Sequence, residues 1–306
     1  MNGSALVGAL PWVAAAVVAV LLATFVAAKV SGKHSVIDTA WGLLFAAVAV
    51  VVFARGTADG ARHWLLLVLP VAWGVRLALH IGRRNHGKPE DPRYEKLLAK
   101  ARGNPDLYAL RMVYLLQGML ALVIASPIVA GGFADAGAGV LTWLGVALWG
   151  IGVLFEAVGD AQLERFRRDP ANRGRIMDVG LWRYTRHPNY FGDACVWWGI
   201  FLIAADAPAA LATAYAPIVM TLLLTKGSGA RILEKHMSGR PGWDGTPPAP
   251  RPSSRGRRGA ARFSSSRRPA GTPGGRPRAG RPGRGRTAGA ACRRCPARSG
   301  ARSRRR

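Results

Sequence analysis

The chain has 306 residues, is 50% hydrophobic and carries a formal charge of +27. Nineteen arginines and no Lys, Asp or Glu fall in residues 245–306, which leaves residues 1–244 with 24 basic and 16 acidic residues, a net of +8. The extreme basicity belongs to the tail, so charge gives no ground for reading the body as a nucleic-acid binder, and three cysteines make no disulfide framework.

Ala5 to Ala28 is apolar over 24 residues without a charge, long enough to span a bilayer with some tilt. A signal peptide would open with basic residues and carry a shorter apolar core. Met1–Ser4 has no basic residue, so a retained transmembrane helix is expected. Further apolar runs cover Val36–Ala54, Ala61–Ile81, Leu110–Gly131, Gly139–Gly159, Phe191–Ala205 and Ala209–Thr225. Together they predict an all-α polytopic membrane helix bundle of about seven transmembrane helices, the sixth being the shortest.

Loop charges agree with that count. The odd loops carry Lys29 and Lys33, then Arg83 to Arg102, then Arg165 to Arg186, and Lys226 follows the seventh span. The fourth and sixth loops have no Lys or Arg, and the second has only Arg55 and Arg62 at its edges. Basic loops mark the cytoplasmic side. The pattern therefore predicts an N-terminus outside and a C-terminus in the cytoplasm of a bacterial inner membrane. In the third loop, Asp91-Pro92 reads as the capped start of an interfacial helix that Gly103 and Pro105 end.

Ionisable residues inside spans are expensive and default to functional hypotheses. Asp38 lies about one turn into the second span. Glu156, Asp160 and Arg167 share one face at the end of the fifth. Acids at i, i+4 repel, so Glu156 and Asp160 either pair with a group such as an Arg or a sugar hydroxyl, or simply balance Arg165, Arg167 and Arg168.

The densest stretch is GLWRYTRHPNYFGDACVWWG, Gly180 to Gly199. It crowds Arg183, Tyr184, Arg186, His187, Asn189, Tyr190 and Asp193 at the mouth of an apolar run. Pro188 pushes His187 into an extended conformation, so a helix begins just after it. A helix N-terminus suits phosphate, and Arg183 and Arg186 stand just before it. Trp182, Tyr184, Trp197 and Trp198 are stacking surfaces or an interfacial aromatic belt, the belt being the preferred reading for the two tryptophans.

The tail switches abruptly to arginine without lysine. It is expected to be disordered, as out-of-frame translation of a GC-rich gene or as an Arg-rich arm for anionic lipid or nucleic acid. Cys292 and Cys295 form a CxxC with no second pair or histidine nearby, so no metal site is expected.

SVIDTAWGLLF, FEAVGDAQLERFRRDPANRG, GLWRYTRHPNYFGD and LEKHMSGRPGW resemble the bacterial DUF1295 membrane family. That family is related to the C-terminal domain of steroid 5-alpha-reductases and more distantly to isoprenylcysteine carboxyl methyltransferases. The resemblance covers about residues 30–244, within a membrane domain of 1–244 followed by the tail of 245–306.

The resemblance implies an NADPH-dependent membrane reductase of a conjugated double bond in a lipophilic, steroid- or isoprenoid-like substrate. It implies a cofactor site open to the cytoplasm, with Asp160, Arg167, Asn189, Tyr190, Asp193 and, loosely, His236 as contacts, to which the residues just ahead of the helix, Arg183, Arg186 and His187, are added as candidate cofactor-binding groups. Asp193 stands where the steroid reductases have Glu. The glutamate and tyrosine with which those enzymes polarise the substrate carbonyl have no residue-by-residue match. Tyr190, Asp38 and Tyr94 are the candidate catalytic groups, with Tyr114 a further donor. The alternatives are an S-adenosylmethionine-dependent methyltransferase and a non-catalytic lipid-binding membrane protein.

Overall fold

A computed structural model describes residues 2–227, and every regular element among them is helical. Three helices, α1 (Gly3–Ser31), α2 (Val36–Arg55) and α3 (Gly60–Asn85), follow one another through four-residue connections, which makes neighbours antiparallel. Gly32 ends α1 at φ 67° and returns its N–H to Ala28 O, the left-handed stop that glycine adopts without strain. The short α4 (Pro92–Leu98) starts as expected, with the Asp91 carboxylate accepting from Arg93 N and Pro92 in the first turn.

Asn104 caps α5 (Pro105–Ala109), which runs through a π-helical turn, Leu110–Leu115, into α6 (Leu116–Ile124). The predicted fourth span, Leu110–Gly131, is divided at Ala125, and α7 (Ser126–Gly132) follows. Pro127 has no N–H to continue the ladder and sits at the start of the new helix instead. Then come α8 (Val140–Arg168), α9 (Pro188–Ala205), a 3₁₀ stretch at Pro208–Ala214 and α10 (Tyr215–Thr225).

Six helical stretches are long and apolar enough to cross a bilayer. Side chains such as Leu22, Met119 and Leu154 are 54%, 58% and 59% exposed on their outer faces, apolar surface that water does not tolerate and lipid covers. The protein is an integral membrane helix bundle. The remaining long helix, α9, carries Asn189, Tyr190 and Asp193 in its first turns and is not among the six. It nevertheless runs the depth of the bundle beside α8, with 11 of its 18 residues buried.

The α8–α9 seam follows from glycine spacing. Gly145, Gly152 and Gly159 recur every seven residues and meet Gly199, Gly192 and Pro188. A Cβ on Gly152 would stand 2.5 Å from Gly192 O, and one on Gly192 would stand 2.5 Å from Gly152 O. Only glycine allows this approach of two backbones.

Beside the seam, Phe45 packs on Trp197 at 4.4 Å, and Trp197 on Trp73 at 5.5 Å. Trp197 is fully buried, and Trp198 is part-buried with its Nε1 on Thr221 Oγ1. The preferred reading as an interfacial belt is corrected for Trp197, which the packing of α9 inside the bundle turns inward; Trp198 keeps part of its surface exposed.

The chain ends gather at two poles. At one, Thr57 N and Ala58 N donate to Gly132 O, and Asn2 N to Phe133 O. Arg62 donates to Ala134 O and Ala136 O, and Asp206 accepts from Gly139 N, Thr142 N and Thr142 Oγ1. At the other pole lie the α1–α2 turn, the α3–α4 loop, the end of α8 and the start of α9. This second pole holds the basic loops.

Candidate functional site

The start of α9 is fixed from α8. The 3₁₀ turn Gly180–Arg183 is held by Gln162, whose Oε1 accepts from Leu181 N at 2.9 Å, and by Trp182 Nε1 donating to Gly159 O at 3.0 Å. His187 is non-helical (φ −139°, ψ 64°) before Pro188 but not extended as expected, and its ring stacks on Tyr190 at 5.1 Å. Arg186 is half-buried in the loop just before it. Asn189 and Asp193, one turn apart, share a face of α9. Arg183 Nε, Asn189 Oδ1 and Asp193 Oδ1 are buried without a hydrogen-bond partner. Buried polar atoms of native proteins are nearly always satisfied, so Arg183 and Asn189 at the start of α9 are open to a polar ligand, whereas Asp193 lies among Arg76, Asp160 and Trp197.

Behind them lies a network centred on Arg76 of α3. Its guanidinium donates to Glu156 Oε2 at 2.6 Å and to Asp160 Oδ2 at 2.7 Å. Trp73 Nε1 donates to Glu156 Oε1 at 3.0 Å, and His80 Nε2 lies 3.5 Å from Asp160. Glu156 is 3% exposed. Arg76 is therefore the partner that the two acids needed, and the reading in which they balance Arg165, Arg167 and Arg168 is corrected. A carboxylate cannot stay ionised inside the bundle beside a second one without such a cation.

A second group forms around α4. Tyr94 Oη donates to Asp38 Oδ1 at 2.6 Å, and Arg93 donates to Asp38 Oδ2 at 2.8 Å. Burial, and then the Asp38 charge, push the Tyr94 phenol well above its ordinary pKa, so it stays protonated. Glu90 spends its carboxylate on His34 N, Ser35 N and Asp91 N, tying the α3–α4 loop to the start of α2. Tyr114 is fully buried and faces His34 Nδ1 at 3.3 Å, while His34 Nε2 meets Asp106 at 3.1 Å.

Between these groups a cleft of about 640 Å³ opens at the basic pole, lined among others by Lys33, Arg84, Lys88, Arg93, Arg167 and Tyr190. Its size is that of a small-molecule site. Arg93 links it to the Asp38–Tyr94 pair, and Tyr190 to the start of α9.

Comparison with protein families decides the relationship: residues 24–243 match the family described as "Protein of unknown function (DUF1295)". The chain belongs to the DUF1295 family. Neither curated proteins nor solved structures give a match.

The family's match takes in the whole site. Of the residues predicted from sequence, Arg167 and Tyr190 share the cleft wall, and Asp38 and Tyr94 are bonded to each other. Asp160 turns away into the Arg76 network. His236 and the tail of 245–306 lie outside the described residues. Sequence reasoning missed Arg76, Glu90 and the cations of the α3–α4 loop. Arg76 was findable, because a lone arginine in an apolar span requires an acid partner.

Proposed function

We propose that this DUF1295 protein is an NADPH-dependent reductase of a conjugated double bond in a lipophilic substrate, with its basic pole in the cytoplasm. The observation that carries this reading is the pair of buried atoms without a hydrogen-bond partner at the start of α9, Arg183 Nε and Asn189 Oδ1, next to Tyr190, which with Arg167 lines a basic cleft. Asn189, Tyr190 and Arg167 are positions at which the steroid-reductase-like motif places its cofactor, and together with Arg183 and Asp193 they offer what a dinucleotide requires. The cations meet phosphate, the amide and carboxyl accept from the sugar or carboxamide, and the Tyr190 ring presents a face to a planar group. The nicotinamide cofactor supplies the hydride when bound.

The chain's own groups then have to stabilise enolate charge and deliver a proton. Tyr94, held protonated, is a donor rather than a base. Its O–H donates to Asp38, so Asp38 positions the phenol. Tyr190, in the cleft wall, is the second candidate donor. The lipid-facing apolar surface gives a lipophilic substrate its route in.

Oxidation of NADPH by the purified full chain, with conjugated enones of increasing apolarity, tests the reading. Turnover that falls at least about tenfold in Asn189→Ala and in Tyr94→Phe supports it. Methyl transfer from S-adenosylmethionine, with no NADPH oxidation for any substrate, would place the protein with the methyltransferases.

A further inference from the structure

We propose that the cleft between the α1–α2 turn, the α3–α4 loop and the end of α8 is a phosphate-binding site, with Arg84 and Lys88 as its principal contacts. Cations from separate parts of the chain line this one recess: Lys33 from the turn, Arg84 and Lys88 after α3, Arg93 from α4 and Arg167 from α8. Gathering like charges is unfavourable unless an anion sits among them.

The acids in the same wall offset only part of this charge. Glu90 is committed to three backbone amides, and Asp91 caps α4 and pairs with Arg93. Arg93 is further held by Asp38, and Lys33 Nζ donates to Lys88 O. Arg84 and Lys88 have no described carboxylate within ion-pair distance, and Arg84 Nε donates to the neighbouring Asn85 Oδ1 at 3.4 Å.

An arginine that can grip two oxygens beside a lysine point charge matches the phosphate dianion. Charges that only orient a membrane protein need to lie on one side of it. They need not converge on a recess, nor be held there by a glutamate spent on its backbone.

The identity of the ligand, though not the phosphate chemistry, rests on the reductase reading, in which these are the phosphates of NADPH. A phospholipid headgroup offers the same chemistry. The test titrates 2′,5′-ADP into the full chain in zwitterionic nanodiscs and repeats the titration in discs containing phosphatidylglycerol. Arg84→Ala/Lys88→Ala is compared with the charge-matched Lys96→Ala/Arg168→Ala, two exposed positions at the same pole.

The expected result is binding to the wild type that falls about tenfold or more in the cleft variant and stays within about twofold in the control. Binding that phosphatidylglycerol displaces from the wild type, and not from the cleft variant, assigns the site to lipid headgroups and keeps its chemistry. Equal loss in both double variants, or no binding of 2′,5′-ADP and no displaceable lipid, overturns the proposal. The two readings separate cleanly. NADPH binding lost in Asn189→Ala but kept in Arg84→Ala/Lys88→Ala would end the phosphate site and leave the reductase standing. 2′,5′-ADP binding that depends on Arg84 and Lys88, with no NADPH oxidation for any enone, would do the reverse.

Discussion

The two poles of the bundle use polar groups in different ways. At the pole of Arg62 and Asp206, polar side chains are spent on the protein itself. Arg62 ties down two carbonyls, and Asp206 closes the start of α8. At the basic pole, cations crowd a cleft and Arg183, Asn189 and Asp193 leave buried atoms unpaired. Each pole leaves buried atoms unpaired, Arg62 Nη1 and His63 Nδ1 at the first; what separates them is the cation-lined cleft at the second.

Substitutions can break or sharpen that contrast. The largest effect belongs to Arg76→Ala, which strips Glu156 and Asp160 of their shared cation inside the bundle. A loss of about 3–5 kcal/mol is expected, read as a lower unfolding midpoint in detergent. Glu156→Gln in the same background should recover part of it. Gly192→Ala comes next: its Cβ meets the Gly152 carbonyl, and overpacking of about 1–3 kcal/mol should appear both in thermal unfolding and in ligand binding, because the α9 start moves with the seam.

At the pole away from the cleft, Asp206→Ala removes a cap and should cost about 1–2 kcal/mol while leaving NADPH binding unchanged. Asn189→Ala should do the opposite, changing stability by about 0.5 kcal/mol or less and weakening NADPH binding about tenfold or more. If Asp206→Ala weakens binding as much as Asn189→Ala does, the contrast between the poles fails.

The smallest effect is a pH dependence. Burial would raise the Asp206 pKa, but hydrogen bonds from the Thr142 hydroxyl and from the amides of Thr142, Gly139 and Leu141 more than offset it, and the value is lowered. A depressed carboxylate contributes stability that is present above its unfolded pKa and lost as pH falls through the folded one. The acid limb of an unfolding profile should therefore be shallower in Asp206→Asn than in the wild type.

Much of the fold was legible in the sequence because lipid imposes a simple code. Long apolar runs became helices, Asp91-Pro92 became a capped start, and His187-Pro188 opened α9. The break at Ser126-Pro127 hid inside an apolar run, since hydropathy does not register a missing N–H. The site was legible where residues cluster in sequence, from Arg183 to Asp193. It was not where partners come from afar: Arg76 reaches Glu156 across the α3–α8 contact, and Glu90 holds the two amides just ahead of a helix that starts 54 residues earlier. Asp38 and Tyr94 were each singled out, but their pairing needs the α4 helix folded back against α2.

The most direct test is NADPH binding by the purified full chain in detergent, set beside NADH and S-adenosylmethionine, in wild type, Asn189→Ala and Asp206→Ala. The account predicts that NADPH binds the wild type and Asp206→Ala alike and is lost in Asn189→Ala. Binding of S-adenosylmethionine alone, or NADPH binding indifferent to Asn189, would contradict it.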